Sequence, residues 1–228
     1  MTGTIINAAA IFIAGLIGLL LGKGIPENTS RTMQDALGLL VMIIGIQYVF
    51  KAESLAIVGI SLAIGAVIGE WRQWEAKLDK LGSLLQEKFA KGGNNQFAQG
   101  FVSASLLFCV GAMAVIGALE DGLTGNYQIL LIKSILDGIF SLIFTASMGV
   151  GVIFSAIPVL IYQGTISLTA QFLQPILTDP ILNNISALGG VLIAGLGLNL
   201  MRITNIRVAN LLPGIFIVPI IMLIYSLF

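Results

Sequence analysis

At least five separate stretches of this chain are apolar for close to the thickness of a lipid bilayer, and the charged residues lie almost entirely between them. A helix needs about 20 mainly apolar residues to cross the hydrocarbon core. Hydrophobic residues make up 57% of the 228, charged residues make up 10%, and the mean hydropathy is +1.01. A soluble domain of this size could not bury so much apolar surface. The sequence therefore predicts an all-α polytopic membrane protein.

Eight segments are candidates for membrane-spanning helices. They cover residues 4–22, 33–50, 55–69, 97–119, 127–148, 150 to about 173, 186–201 and 208–228. Between the fifth and sixth segments, Gly149-Val150-Gly151 marks either a true reversal of the chain or a break within one long element. A reversal gives eight spans, and a break gives seven. In both cases residues 1–228 are expected to form one integral membrane domain.

The distribution of basic residues distinguishes these two counts. With eight spans and the N-terminus outside, nine lysine and arginine residues fall in cytoplasmic loops and only Lys51 falls in an external loop. Seven spans would place Arg202 and Arg207 on the external side. Cytoplasmic loops of membrane proteins are enriched in lysine and arginine. We therefore predict eight spans with both termini outside.

Residues 71–91 have the pattern of a single amphipathic helix outside the spans. Apolar residues beginning with Trp71 and Trp74 fall on a narrow arc of a helical wheel, and charged residues occupy most of the rest. Such a helix is typical of the cytoplasmic membrane interface. Two interpretations stay open, a gate or partner-docking helix and a solvated connector on the headgroups. Residues 92–95, Gly-Gly-Asn-Asn, are predicted to end the helix.

The fifth span contains the clearest candidate for chemistry. Lys133 and Asp137 are four residues apart, so they share one helix face and can form an ion pair. Ser134 and Ser141 add hydroxyl groups to the same helix. Charged side chains at membrane depth cost about 2.5 to 3.5 kcal/mol each on insertion scales, so they mark places that need an explanation. The pair either lines a substrate or ion path or neutralises itself and fixes helix packing.

Polar residues on both sides of the fifth span extend this candidate path. Glu120 and Asp121 lie among glycines after the fourth span, which predicts a flexible acidic turn at the outer membrane face. The turn would be a vestibule that attracts cations or an ordinary solvated loop. Gln163 offers a donor and an acceptor in the sixth segment, where irregular backbone is typical of transporter sites. Helix breaks in this segment are predicted at Gly149, Gly151 and Pro158.

A short internal match links the first and seventh spans. Ile13-Ala14-Gly15-Leu16 is repeated as Ile193-Ala194-Gly195-Leu196. If the match reflects a duplication, the two copies have parallel topology, as in some transporters. The simpler interpretation is that Gly15 and Gly195 let helices approach closely in lipid.

Several classes of function lack the residues that they require. The chain has no histidine, which removes the usual metal ligand and the usual base near neutral pH. Its formal net charge is zero, and it lacks the G-x-x-x-x-G-K-[ST] phosphate-binding loop. We therefore expect no metal site, no cofactor, no enzymatic activity and no nucleic-acid partner. The expected partners are the lipid bilayer, a small solute or ion and, because 24.1 kDa is small for a transporter, further copies of the chain.

The run over residues 117–163 resembles a known family. Its residues match the pattern of the YqgA- and YdfK-like bacterial membrane proteins, catalogued as DUF554, at Gly117-Ala118, Gly122, Gly125, Lys133-Ser134, Leu136-Asp137, Ser155, Pro158 and Gln163. The resemblance continues along nearly the whole chain, through Ile6-Asn7-Ala8, Gly69-Glu70, Ser186-Ala187, Gly189-Gly190 and Asn210-Leu211-Leu212-Pro213. It implies a multi-pass protein of the bacterial inner membrane without an established reaction. Members are often labelled transport proteins, and the resemblance supplies no catalytic residues.

Two functional hypotheses follow from these observations. The leading one is a small secondary transporter or channel-like permeation protein whose path includes Lys133 and Asp137, with entry near Glu120 and Asp121. Gln163 would be a further contact, and a proton or cation would couple through Asp137. The alternative is a non-transporting scaffold or sensor that recruits a partner through the helix at residues 71–91.

Overall fold

The computed structural model describes residues 1–22, 25–89 and 96–225, which form helices joined by short turns. The α-helices of this part are α1 Thr2–Leu21, α2 Glu27–Val49, α3 Leu55–Arg72, α4 Trp74–Phe89, α5 Gln96–Cys109, α6 Ala112–Leu123, α7 Gln128–Met148, α8 Ala156–Leu168, α9 Ala170–Leu173, α10 Asp179–Leu200 and α11 Pro213–Tyr225. Two 3₁₀ helices, η1 Val150–Ser155 and η2 Val208–Leu211, precede α8 and α11.

Seven helical stretches of the described residues are long and apolar enough to cross a membrane. They are Thr2–Leu21, Glu27–Val49, Leu55–Arg72, Gln128–Met148, Val150–Leu168, Asp179–Leu200 and Val208–Tyr225. The pair α5 and α6 supplies an eighth if it is one span, although the two helices are bent by 61°. The bend includes Gly111, whose φ of 125° is rarely adopted by residues with a side chain. The prediction of an all-α membrane protein with seven or eight spans is confirmed.

Two spans begin earlier than hydropathy indicates. α2 starts at Glu27 rather than at residue 33, and α10 starts at Asp179 rather than at residue 186. Polar residues make up much of these added turns, so a count of apolar residues misses them. The start of α10 is instead set by an acidic residue and a proline in its first turn, both of which favour a helix N-terminus.

The amphipathic helix also differs from the prediction at its start. α3 continues through Trp71 to Arg72, and Gln73 then adopts the left-handed conformation with φ of 52°. That conformation ends the helix, so α4 begins at Trp74. The prediction of one helix from residue 71 is therefore wrong at this end. Its other end, residues 90–91, and the predicted break at 92–95 lie outside the described residues.

The chain forms two compact units, and α2 and α4 contribute to both. Unit 1 contains Met1–Asp35, Asp79–Cys109 and Met113–Leu173, and unit 2 contains Ala36–Leu78, Val110–Ala112 and Gln174–Phe228. Hydropathy gives no sign of this division, because both units contain strongly apolar spans.

In unit 1, α1 runs parallel to α7 and antiparallel to α8. Gly3 meets Leu130 near the starts of α1 and α7, and Gly22 meets Ala146 near their ends. By contrast, Gly164 near the end of α8 lies against Thr4 at the start of α1. The chain therefore reverses direction between α7 and α8, as the eight-span interpretation requires.

In unit 2, α3 lies beside α10 and α11. The backbone N–H of Ser54 donates to Asn184 Oδ1 at 3.1 Å, near the starts of α3 and α10, so these helices are parallel. Gly65 meets Gly214 near the start of α11, so α3 and α11 are antiparallel.

The match between Ile13-Ala14-Gly15-Leu16 and Ile193-Ala194-Gly195-Leu196 links α1 with α10. α1 belongs to unit 1 and α10 to unit 2, so the match joins helices of different units.

Candidate functional site: a buried polar cluster in unit 1

The ion pair predicted in the fifth span is present within α7. Lys133 Nζ donates to Asp137 Oδ2 at 2.5 Å, and each residue is 6% exposed. Four residues in a helix bring the two side chains to the same face, one turn apart. Opposite charges in direct contact reduce the cost of burying either one.

Two amide side chains from other helices complete this pair. Asn7 of α1 donates from Nδ2 to Asp137 Oδ2 at 3.0 Å and to Gln163 Oε1 of α8 at 3.2 Å. Asn7 and Gln163 are both 0% exposed. We call Asn7, Lys133, Asp137 and Gln163 the polar cluster. Its residues come from three helices of unit 1, namely α1, α7 and α8.

The sequence predicts Lys133, Asp137 and Gln163 as site residues but does not single out Asn7. One signal was available. Asn7 is the one carboxamide or charged side chain within α1, whose other residues are apolar or small apart from two threonines. A polar group at membrane depth needs a partner, and here that partner is 130 residues away in sequence.

Several polar atoms at and near the polar cluster are not satisfied. Asn7 Oδ1 and Gln163 Nε2 are buried and have no hydrogen-bond partner among the described residues. The same holds for three buried hydroxyl groups of unit 1, on Thr4, Thr145 and Ser167. Each such group costs about 1 to 3 kcal/mol if nothing replaces the water that it lost. Clustered exceptions of this kind indicate a place where water or a ligand is bound.

The two serines predicted for the path behave differently. Ser141 donates from Oγ to the carbonyl oxygen of Ile11 in α1 at 2.7 Å, so it joins α7 to α1. Ser134 donates to the carbonyl oxygen of Leu130 at 2.6 Å, within its own helix. Ser141 therefore extends the polar contacts of the cluster along the α1–α7 contact, and Ser134 does not.

The predicted flexible acidic turn is wrong for Glu120 and Asp121, because both lie within the helix α6. Asp121 is 3% exposed; its Oδ1 lies 3.1 Å from the N-terminal ammonium of Met1, and its Oδ2 accepts the N–H of Thr4 at 3.4 Å. It thus compensates the unpaired N–H groups and positive dipole at the start of α1. Glu120 is half-buried and accepts from Asn126 at 3.1 Å. An open acidic vestibule is not formed by this pair.

A cavity of about 460 Å³ lies at the C-terminal ends of α1 and α7, at the other end of their contact from Asp121. It is lined by Gly22, Ile25, Glu27, Ser30, Ala146, Ser147 and Gly149. The carbonyl oxygen of Ser147 accepts from Ser30 Oγ at 2.8 Å and from Gln34 Nε2 at 3.0 Å, next to this cavity. Polar groups therefore occur at both ends of α1 and at the polar cluster between them.

The predicted helix-breaking residues and packing glycines differ in their surroundings. Gly149, with φ of 85°, ends α7, and Gly151 of η1 lies against the backbone of Phe97. Pro158 is in the first turn of α8, where its missing N–H breaks no helical bond, so it introduces no kink. A methyl group on Gly15 would come within 2.7 Å of Ile153 Cγ1. Gly195 has no such neighbour closer than 3.6 Å.

Groups of three or more cysteine, aspartate or glutamate residues suited to a metal ion are absent from the described part of the chain.

Comparison with known proteins identifies relatives over nearly the full length. A family described as "Protein of unknown function (DUF554)" matches residues 2–223. The chain is 32% identical to the "Uncharacterized membrane protein YdfK" of Bacillus subtilis (strain 168), over 100% of this chain and 98% of that protein. It is 33% identical to the "Uncharacterized protein YqgA" of Escherichia coli (strain K12), over 93% of this chain and 92% of that protein. No solved structure matches it. The resemblance drawn from residues 117–163 is thus confirmed, and the chain belongs to the DUF554 family of membrane proteins.

Proposed function

We propose that this protein is a small secondary transporter or channel-like permeation protein for an ion or small solute, with its path through unit 1. The polar cluster is the observation that supports this proposal. A Lys133–Asp137 pair that served packing alone would be expected to have its surrounding hydrogen bonds complete, because half-satisfied buried networks destabilise a fold. Here Asn7 and Gln163 each leave one polar atom unpaired beside the pair.

Polar groups also follow α1 and α7 on both sides of the cluster. Thr4 lies one turn from Asn7 on α1, and Ser141 and Thr145 lie one and two turns from Asp137 on α7. The hydroxyls of Thr4 and Thr145 are buried and unpaired among the described residues. This spacing supports a continuous series of binding positions between Asp121 at one end and the cavity beside Ser147 at the other.

The same proposal includes a location and an orientation. We propose the bacterial inner membrane as the location, as the family resemblance implies. The distribution of basic residues favours both termini outside, with the Asp121 end of α1 facing outward and the 460 Å³ cavity facing the cytoplasm. Because the chain is small, we propose that several copies assemble in the bilayer. No cofactor enters this proposal.

A scaffold or sensor that docks a partner through α4 is the second candidate, and one network favours it. Asn210 Oδ1 accepts the N–H of Glu75 at 2.8 Å, and Glu75 Oε2 accepts the N–H of Ala209 at 2.8 Å. The first turn of α4 and the 3₁₀ helix η2 thus cap each other within unit 2. A helix with a fixed start and exposed charged residues is suited to present a docking surface.

A binding and flux experiment tests the leading proposal. The melting temperature of the purified protein in detergent is measured against a panel of ions and small metabolites, and each ligand that raises it is then tested for uptake into proteoliposomes. A ligand that binds only the folded state raises the melting temperature in a saturable way. We expect Asp137→Asn to lose this shift. Asp179→Asn, a matched change at an exposed position of unit 2, should retain it.

Two results would contradict the proposal. One is a folded Asp137→Asn protein that keeps every ligand shift and every flux of the wild type. The other is the absence of any protein-dependent flux from proteoliposomes that contain the folded wild type. Loss of function on scrambling the sequence of α4, together with insensitivity to Asp137→Asn, would instead support the scaffold.

A further inference from the structure

We infer that the species carried through unit 1 is the proton and that Asp137 is the group that binds it. This inference rests on the proposed permeation function and identifies the ion. It is drawn from three features of unit 1, namely the closeness of α1 and α7, the unpaired polar atoms beside Asp137 and the distribution of ionisable groups around it.

The contact between α1 and α7 leaves no passage between these two helices for a hydrated ion or an organic solute. A methyl group on Gly18 would overlap the carbonyl oxygen of Leu142, and one on Gly22 would come within 2.7 Å of the carbonyl oxygen of Ala146. The two backbones are therefore in direct contact between the polar cluster and the C-terminal ends of α1 and α7. A solute would have to separate the helices, whereas a proton can pass between hydrogen-bonding groups without moving them.

Groups able to pass a proton are spaced along this contact. The hydroxyls of Thr4 and Thr145 are buried and carry no hydrogen bond to the described residues, and that of Ser141 reaches the carbonyl oxygen of Ile11. Asn7 Oδ1 and Gln163 Nε2 are the unpaired acceptor and donor beside Asp137. An ordered water bound to such atoms keeps two or more hydrogen bonds and bridges neighbouring groups. The unpaired atoms of the polar cluster can thus bind water.

The carboxylate of Asp137 has one oxygen available for the proton. The hydrogen bonds that Lys133 and Asn7 donate to it both reach Oδ2. A proton from the outer side adds to Oδ1 and forms an O–H bond, and the carboxylate loses its negative charge. The same O–H bond then breaks toward Ser141 and Thr145, the proton leaves to the inner side, and the Lys133–Asp137 ion pair forms again. No other bond changes, and one positive charge crosses for each proton.

Few other ionisable groups lie near Asp137. Lys133 lies on α7, and Cys109 of α5 is close enough to interact with the charges of both residues. Tyr162 of α8 lies near Cys109. Helix α1 and the 3₁₀ helix η1 contain no charged side chain, and at the outer end α6 contributes Glu120 and Asp121. Among α1, α5, α7, α8 and η1, Asp137 is thus the one carboxylate, with Lys133 as its counter-charge.

Proton flux into liposomes tests this inference directly. The full chain is reconstituted with a pH-sensitive dye inside, a potassium gradient and valinomycin set the membrane potential, and the initial rate of pH change is measured. We expect Asp137→Asn to lower the protein-dependent rate by about tenfold or more, because the amide cannot take up and release the proton. Asp137→Glu keeps a carboxylate and should retain a measurable rate. Asp179→Asn should match the wild type.

A second variant removes the risk that Asp137→Asn fails to fold with an unpaired Lys133. The double change Lys133→Gln with Asp137→Asn leaves no buried charge at the site and still lacks the carboxylate. A folded double variant with the wild-type proton rate would overturn the inference. Wild-type flux of sodium, potassium or a solute without proton flux would also overturn it, while leaving permeation intact. No protein-dependent flux of any kind would overturn both.

Discussion

At the scale of single residues, the amide of Asn7 connects an ion pair within one helix to two further helices. Lys133 and Asp137 alone form a neutral pair on one helix, which many membrane proteins could tolerate. Asn7 donates to Asp137 and to Gln163 from the same Nδ2 group and thereby links three helices through one amide. One polar atom of Asn7 and one of Gln163 stay buried without a hydrogen-bond partner among the described residues. The site is therefore created by Asn7 as much as by the charges.

Because the pair is buried, we predict that removing one charge is worse than removing both. Lys133→Met or Asp137→Leu alone should destabilise the folded protein by about 3 to 5 kcal/mol, since each leaves an uncompensated charge. The double variant should recover much of that loss. Unfolding in detergent micelles, analysed as a double-mutant cycle, measures the coupling. Strictly additive effects of the two substitutions would show that the side chains do not depend on each other.

At the scale of elements, close helix contacts in unit 1 depend on glycines at specific faces. Gly18 of α1 lies against the backbone of α7, whereas Gly59 of α3 has open space around it. We predict that Gly18→Ala lowers the melting temperature and that Gly59→Ala does not. Alanine has a higher helix propensity than glycine by about 1 kcal/mol, so Gly59→Ala should be neutral or slightly stabilising. Equal losses at both positions would show that glycine flexibility, and not helix contact, is what matters.

The start of α4 is a second element-scale feature, because its hydrogen bonds come from a segment far away in sequence. Asn210 accepts from the N–H of Glu75 and donates to Glu70 Oε2 at 2.8 Å. We predict that Asn210→Ala loosens α4 and speeds tryptic cleavage after Lys77. Asn126→Ala, in unit 1, is the matched control. An unchanged cleavage rate would mean that the contacts of η2 do not hold the start of α4.

At the scale of the whole molecule, the parallel and antiparallel packing within each unit agrees with alternating spans. We predict eight crossings, with Thr124 outside and Lys80 in the cytoplasm. Thr124→Cys and Lys80→Cys are each placed in a Cys109→Ala background and labelled in intact cells with a membrane-impermeant maleimide. Thr124→Cys should react at once, and Lys80→Cys should react only after the cells are made permeable. The opposite result would reverse the proposed orientation.

The class of fold and the Lys133–Asp137 pair follow from the amino-acid sequence alone, because both depend on residues that are close together in the chain. Spans are runs of apolar residues, and a helical ion pair needs only a spacing of four. Only the tertiary structure brought Asn7 to Asp137, buried Asp121 at the start of α1, began α10 at Asp179 and divided the helices into two units. Some of these features join groups more than 100 residues apart in sequence. Others depend on polar residues at a helix start, which a hydropathy pattern does not reveal, or on which apolar helix faces pack together. Lipid tails solvate every apolar helix face about equally well, so close packing and polar contacts decide which helices pair.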